Sequence, residues 1–470
     1  MTKGYIEKIL DSWSLSTGNV HTTEEILQWI QGLNAETHVS VRECSILESD
    51  FWFYDDYNGE ILNRKRSFFS IKGVRLFVND AFVKEQPMIL QPEIGYLGII
   101  VKEIDGVWNF LMQAKIEPGN VNCVQISPTI QATKSNFTRA HGGKLPAYFE
   151  MFEHSERYEV IYDQIQSEQA SRFLNKRNRN IIIKVDEDFE ILPNFRFMTL
   201  GQIKELMKID NLVNMDTRTV LSGLPFVTET LSDSDLSECR TRFKGNPALF
   251  RSIFETNLSD TLRPSLHYLN NYKMFTEVRP VKAPLNELTD WRVNDRGVHC
   301  LKKASFEVAF YDIEISGREV HTWTQPLFKA SGKAIFALLV KEIDGVLKFL
   351  VKARPEIGSY DKIELGPSIQ LEAAASLNAE DSVEGLFLEW MAGSTARNHT
   401  LVDVLLSEEG GRFYHEQNRN IILQIPSDRL SDLPNGYFWM DFSALNLLVQ
   451  SQNYLNIQLR NLLSLLPLDA

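Results

Sequence analysis

VKEIDGVWNFLMQAKIEPG, residues Val101–Gly119, returns later in the chain as VKEIDGVLKFLVKARPEIG, residues Val340–Gly358. The match runs without a gap from Val101–Gln131 onto Val340–Gln370, with about half the positions identical. It continues on both sides. Upstream, Trp52, Gly59 and Ser67-Phe68 recur as Trp291, Gly297 and Ser305-Phe306 with a residue of slip. Downstream, SEQASRFLNKRNRNIII from Ser167 recurs as SEEGGRFYHEQNRNIIL from Ser407, Leu192-Pro193-Asn194 as Leu433-Pro434-Asn435, and Asn214 and Arg218 as Asn456 and Arg460. So long a repeat is a duplicated domain, since solenoid units run to a few tens of residues. The polar, acidic stretch TETLSDSDLSE from Thr228 marks the junction, which predicts one unit over residues 1–230 and a second over 231–470.

Periodicity gives each unit an α+β reading, a mixed sheet flanked by helices. Asp105-Gly106 and Asp344-Gly345 sit between strand-like runs and predict tight hairpins. NIIIKV and NIILQI read as buried strands. TTEEILQWIQGL, opening on threonine caps, reads as a helix, and GQIKELMKIDNLVNMDTRTVLSGL as helix, turn, helix, with a counterpart after Phe442. PAYFEMFEHSERYEVIYDQIQ, from Pro146, is expected to form one helix or two.

A net charge of −13 argues against a broad DNA- or membrane-binding surface. The cysteines Cys44, Cys123, Cys239 and Cys300 show no CxxC spacing, which fits reduced thiols rather than a disulfide framework or a zinc site. The N-terminal stretch has no apolar signal core and no apolar run reaches the roughly 18–20 residues of a membrane span, so a cytoplasmic protein is expected. GxGxxG, Walker and GxSxG motifs are absent, as are histidine pairs at metal-ligand spacing and the Glu-rich helix of a Nudix pyrophosphatase.

The stretch richest in chemistry is Gln113–Lys144. It carries Gln113, Lys115, Glu117, Asn120, Asn122, Gln125, Gln131, Thr133, Lys134, Ser135, Asn136, Arg139 and His141. Amides donate and accept together, which suits a polyhydroxylated ligand; the same composition also describes a solvated loop. The second copy is an internal control. It keeps P-[TS]-I-Q at Pro367–Gln370, but ATKSNFTRAHGGK becomes LEAAASLNAEDSV, and Lys115 becomes Arg354 while Glu117 remains as Glu356. A shared scaffold with divergent chemistry predicts an active first site and a vestigial or supporting second one. The basic run Arg172, Lys176, Arg177, Arg179, mirrored only by Arg412 and Arg419, could clamp a pyrophosphate or form a charged rim. Trp52 and Trp291 suit either base stacking or the core.

LGIIVKEIDGVWNFLMQAKIEPGNVNCVQISPTIQATKSNFTR, with FFSIKGV from Phe68 and SEQASRFLNKRNRN, resembles the signature block of the NDP-hexose 2,3-dehydratases. The resemblance spans roughly residues 20–465 and includes the duplication. It implies two tandem Nudix-like units, a homodimer, no metal or organic cofactor, and a dTDP-4-keto-6-deoxyglucose substrate. It further implies removal of water across C2–C3 and hand-over of an unstable product to a 3-ketoreductase or aminotransferase. Alternatives are a silent nucleotide-sugar-binding protein and a Nudix-like pyrophosphatase. For the dehydratase, Glu117 is the expected base, Lys115 its electrostatic partner and His141 the alternative base; a Lys115–Glu117 pair that merely fixes a turn is the competing reading. Substrate contacts are expected from Trp52, Phe69, Gln113, Asn120, Asn122, Gln131, Thr133, Lys134, Ser135, Asn136, Arg139, Arg177 and Arg179. Trp291, Arg354, Glu356 and Gln370 would mark the second site. There P-S-I-Q-L-E replaces the family's fuller block.

Overall fold

A computed structural model describes residues 4–137, 145–226, 231–243, 245–316, 321–393 and 399–468. Each half is built on a seven-stranded mixed sheet. In the first half the order is Glu159–Ser167, Arg177–Lys184, Gly95–Ile104, Val107–Ile116, Phe195–Thr199, with the short strands Val124–Ser127 and Ile130–Ala132 laid beside the central hairpin. The second half repeats this with Thr400–Ser407, Gln417–Gln424, Ala334–Ile343, Val346–Arg354 and Tyr437–Asp441, and with Glu364–Pro367 and Ile369–Leu371. The central hairpins turn at Asp105-Gly106 (φ 51° and 80°) and Asp344-Gly345 (φ 50° and 78°). Two successive left-handed residues match the twist of the flanking strands, which is why Asp-Gly stands there. The apolar runs Ile181–Ile183 and Ile421–Leu423 are fully buried, each pairing in parallel with the first strand of its hairpin.

Thr22 caps the helix Thr23–Glu36 in a reciprocal bond with Glu25. Asn214 and Asn456, matched in the repeat, cap the helices Met215–Leu221 and Ile457–Ser464. Tyr148–Gln166 departs from the helical expectation. Only Phe149–Glu153 is α-helical, a short 3-10 turn follows at Ser155–Arg157, and Glu159–Ser167 is a strand antiparallel to Arg177–Lys184. The β-branched and aromatic residues of EVIYDQIQ find a sheet edge there, and tertiary pairing overrides local helical spacing.

The halves do not lie side by side as closed units. Strand Val39–Cys44 of the first half pairs with Phe306–Ile315 of the second, and Val278–Ala283 of the second pairs with Ser70–Val78 of the first. Each half thus lends one strand to the other's smaller sheet. Two buried arginines reinforce the exchange. Arg218 donates to the Ser407 carbonyl at 2.8 Å, and its repeat partner Arg460 donates to the Ser167 carbonyl and to Thr219 Oγ1. Within the described part of the polar junction Ser232 caps the helix Asp233–Arg242, followed by Pro247–Phe254 and Leu258–Phe275. Among the described residues no helix is long and apolar enough to cross a membrane.

Candidate functional site

Lys115 is the penultimate residue of the strand Val107–Ile116, and Glu117 follows it, so both side chains leave the sheet on one face. Lys115 Nζ donates to Glu117 Oε1 at 2.9 Å, and Gln131 Nε2 donates to the same oxygen at 3.2 Å. Asn214 Nδ2 in turn donates to Gln131 Oε1 and to Ser127 Oγ, at 3.1 and 2.9 Å. Because Asn214 also caps a helix, the relay is tied to backbone at its far end. The second half copies it: Gln370 Nε2 donates to Glu356 Oε1 and Asn456 Nδ2 to Gln370 Oε1, both at 2.9 Å. One member behaves differently. Arg354 turns away from Glu356 and donates to the carbonyls of Pro367 and Ser368.

The Pro118-Gly119 turn carries this cluster into the other half. Gly119 N–H donates to the Gly410 carbonyl at 2.7 Å, and His415 N–H donates to the Gly119 carbonyl at 2.9 Å. A Cβ on Gly119 would sit 1.6 Å from the Phe413 carbonyl oxygen, so only glycine allows the approach. Symmetrically, Gly358 is locked between the Ala170 carbonyl and Asn175 N–H. Each site therefore draws residues from both halves. The first combines Lys115, Glu117, Gln131 and the buried Asp216 with Glu409 and Arg412. The second combines Arg354, Glu356, Gln370 and Glu372 with Arg172, and Gln458 and Gln169 hold the positions that match Asp216 and Glu409.

Their charges differ. Arg172 is fully buried, lies 4.3 Å over the Phe306 ring and forms an ion pair with Glu372 at 3.0 Å. Its counterpart Arg412 lies over Phe68 and Phe69 and donates to the neutral Gln91 at 3.0 Å; among the described residues it has no ion pair, while the Nε of either arginine is buried without a partner. The difference traces to two positions, where the second half has Glu372 and Glu416, the latter 3.9 Å from Arg172, and the first has Thr133 and Lys176. Burial, then the neighbouring Glu117, pushes the Glu409 carboxyl up to about 7. Burial, then Glu168, Glu409 and Glu117, holds Asp216 well above the usual carboxylate range. Burial also lowers Lys176 to about 8, against the opposing pull of Glu168.

The remaining expected residues distribute as follows. Asn120 Nδ2 donates to the Cys123 carbonyl and Asn122 Oδ1 accepts from Gln125 Nε2, so both brace the loop around Glu117. Gln113 lies on the same strand as Lys115, opposite Ser127. Thr133 follows the short strand that carries Gln131, and Lys134 begins the helix Lys134–Phe137. The side chains of Ser135 and Asn136, and residues Arg139 and His141, lie outside the described residues. Trp52 is buried against Phe69 and Trp291 against Phe306, in one hydrophobic cluster. Arg179 is held by Asp163 through two bonds of 2.8 and 2.7 Å. Arg177 stacks 3.6 Å over Tyr360 and, with Phe68, Phe69, Arg66, Lys282 and Gln91, lines a cavity of about 600 Å³. Flat rings and cations in a cavity of that size suit a nucleotide.

The family model for NDP-hexose 2,3-dehydratase matches residues 23–224 and 262–466, so it fits both halves in turn. This chain belongs to the NDP-hexose 2,3-dehydratase family. The chain is 36% identical to a dTDP-4-dehydro-6-deoxy-alpha-D-glucopyranose 2,3-dehydratase of Saccharopolyspora spinosa, over 98% of this chain and 94% of that one. It is 34% identical to an enzyme of the same description from Amycolatopsis orientalis, covering 98% and 93%, and 35% identical to one from Streptomyces violaceoruber, covering 93% and 95%. Family membership gives the asymmetry between the two sites its meaning: a dehydratase needs acid–base groups, and Glu409 and Asp216 are found only at the first, while Glu372 and Glu416 at the second are set against Arg172. Glu409, Arg412 and Asp216 escaped the sequence reading as site residues. The signal was available in the repeat, where Gln169 faces Glu409, Ala170-Ser171 faces Gly410-Gly411, and Gln458 faces Asp216.

Proposed function

We propose that the chain is a dTDP-4-keto-6-deoxy-D-glucose 2,3-dehydratase, a hydro-lyase acting at the first site. The observation that carries this reading is the Lys115–Glu117–Gln131–Asn214 relay, set in a family whose similar relatives bear that activity. The C4 ketone acidifies the C3 hydrogen. Glu117 removes it, and the ammonium of Lys115 stands beside the developing enolate charge. The enolate collapses, the C2–O bond breaks, and the C2 hydroxyl leaves as water with a proton from a general acid. The resulting enol tautomerises to a 3,4-diketo-2,6-dideoxy sugar. Gln131 and Asn214 fix the orientation of the carboxylate through its Oε1. The aromatic and cationic cavity at Phe69 and Arg177 is assigned to the nucleotide and its pyrophosphate.

The same reading places the reaction on tandem Nudix-like units in a cytoplasmic homodimer, feeding a 3-ketoreductase or aminotransferase. The test is to incubate the chain with dTDP-4-keto-6-deoxyglucose, with and without chelator, and follow water loss and nucleotide release together. Water loss with intact dTDP-sugar, unaffected by chelator, is expected. Release of nucleoside monophosphate would overturn it.

A further inference from the structure

The base leaves one role unassigned, that of the group which protonates the departing hydroxyl. Glu117, Glu409, Asp216 and Glu168 meet at the first site, and the duplicated second site, where Glu168 recurs as Glu408, shows which of them the scaffold does not require. Glu117 has a counterpart in Glu356, within the same amide relay. Glu409 corresponds to Gln169, and Asp216 to Gln458. Both differences replace an ionisable group by an amide, isosteric for Glu409 and one methylene longer for Asp216, so the scaffold does not require either charge.

Glu409 is the one that reaches Glu117. Seen from Gly411, a Cβ would lie 2.2 Å from Glu409 Oε1 and 3.3 Å from Glu117 Oε1, so the two carboxyl groups converge on the space that glycine leaves open. A Cβ on Gly410 would lie 2.2 Å from Asn120 Oδ1 and 3.0 Å from the Glu117 Cβ. The matching residues at the second site are Ala170 and Ser171, which do carry a Cβ. The glycines that permit this close approach and the Glu409 carboxylate therefore occur together at one site and are missing together at the other. Asp216 lies there too: it is 3% exposed and makes no side-chain hydrogen bond among the described residues. Glu409 itself keeps partial exposure at the end of its turn, as a group that must meet a substrate should.

We propose that Glu409, delivered to the first site by the second half of the chain, is the catalytic acid that protonates the C2 hydroxyl as it leaves. The assignment rests on the dehydratase reading above and completes its proton inventory. Glu117 takes the C3 proton, the electron pair of that bond passes through the enolate into the new C2–C3 double bond, and the C2–O pair leaves with the proton of Glu409 as water. In the tautomerisation the 3-hydroxyl proton returns to Glu409 and Glu117 gives its proton to C2, so both carboxyl groups end as they began. A carboxyl held protonated near neutrality by burial and by a neighbouring carboxylate can supply that proton. The carboxylate pair also explains a two-domain chain with one set of acid–base groups: neither half holds both.

The experiment uses Glu409→Gln in the full chain, the amide being the residue that Gln169 already places at the equivalent position. Water loss from dTDP-4-keto-6-deoxyglucose is expected to fall on the order of 100-fold. Ligand affinity should stay unchanged, and exchange of the C3 hydrogen with D2O should continue, because the base is intact. The decisive substrate is the 2-deoxy-2-fluoro analogue. Fluoride leaves without a proton, so Glu409→Gln should eliminate it at near the wild-type rate. Glu409→Asp should keep measurable water loss, which separates loss of the acid from loss of the fold. Water loss within about 3-fold of wild type, or fluoride elimination lost in parallel with water loss, overturns the assignment. Failure of the wild type itself to release water would sink the dehydratase reading and this assignment with it.

Discussion

Glu117→Gln separates a catalytic base from a structural ion pair. The glutamine keeps the shape of the side chain and can still accept from Gln131, but Lys115 loses the carboxylate 2.9 Å away. Glu117 is 8% exposed, so the lost bond is a largely desolvated one. A charge-assisted hydrogen bond of this kind contributes about 1.5–3 kcal/mol. For a domain of this size that is a fall in Tm of roughly 3–12 °C. If Glu117 removes the C3 proton, turnover falls by about 100-fold or more, while affinity for the dTDP-sugar is kept. The assay is a pair of measurements on the same preparation: water loss from dTDP-4-keto-6-deoxyglucose with the product trapped by a reductase, and thermal denaturation. Exchange of the C3 hydrogen in D2O should vanish with turnover, since it reads the base step alone. A variant that melts earlier yet turns over within a few-fold of wild type would refute the reasoning. The pair would then only fix the Pro118-Gly119 turn, and His141 would be the next base to test.

Glu372→Ala should leave turnover within about 2-fold of wild type, because Glu372 neutralises Arg172 at the second site, whereas Thr133→Ala should lower it; steady-state rates compare them directly. Gly119→Ala should unlock the halves, since its Cβ would strike the Phe413 carbonyl, and a large drop in Tm is expected. Gly106→Ala, with open space around it and only a left-handed φ of 80° to strain it, should cost about 1–2 kcal/mol. Glu364, buried beside Ser167, has its pKa raised by desolvation to about 7. A raised carboxyl favours the native state when protonated, so that contribution is complete below its unfolded value of about 4.3 and is lost as pH rises through about 7. Glu364→Gln reproduces the Gln125–Ser407 bond of the other half, and its Tm relative to wild type should therefore climb between pH 5 and pH 8.5. An unchanged difference across that range would show that Glu364 does not titrate there.

Much of this protein was settled by local chemistry and by repetition. Asp-Gly at both hairpins admits few other turns, because two consecutive left-handed residues are needed. Buried Ile-Ile-Ile and Ile-Ile-Leu runs have no stable place except a covered sheet, and the matched asparagines that cap helices are short-range features read within a turn of chain. The Lys115–Glu117 pair was legible for the same reason, since residues two apart on a strand share a face. What lay beyond the sequence reading depended on distance in the chain. Strand Glu159–Ser167 is a strand because Arg177–Lys184 offers it an edge, and no local pattern states that. The exchange of Val39–Cys44 for Val278–Ala283 needs both halves present at once. So does the site, where Gly119 passes close enough to Gly410 to bring Glu409 and Arg412 to Glu117. The repeat had already recorded the contrast between Glu409 and Gln169, but only the tertiary contact between the halves shows which site each residue serves.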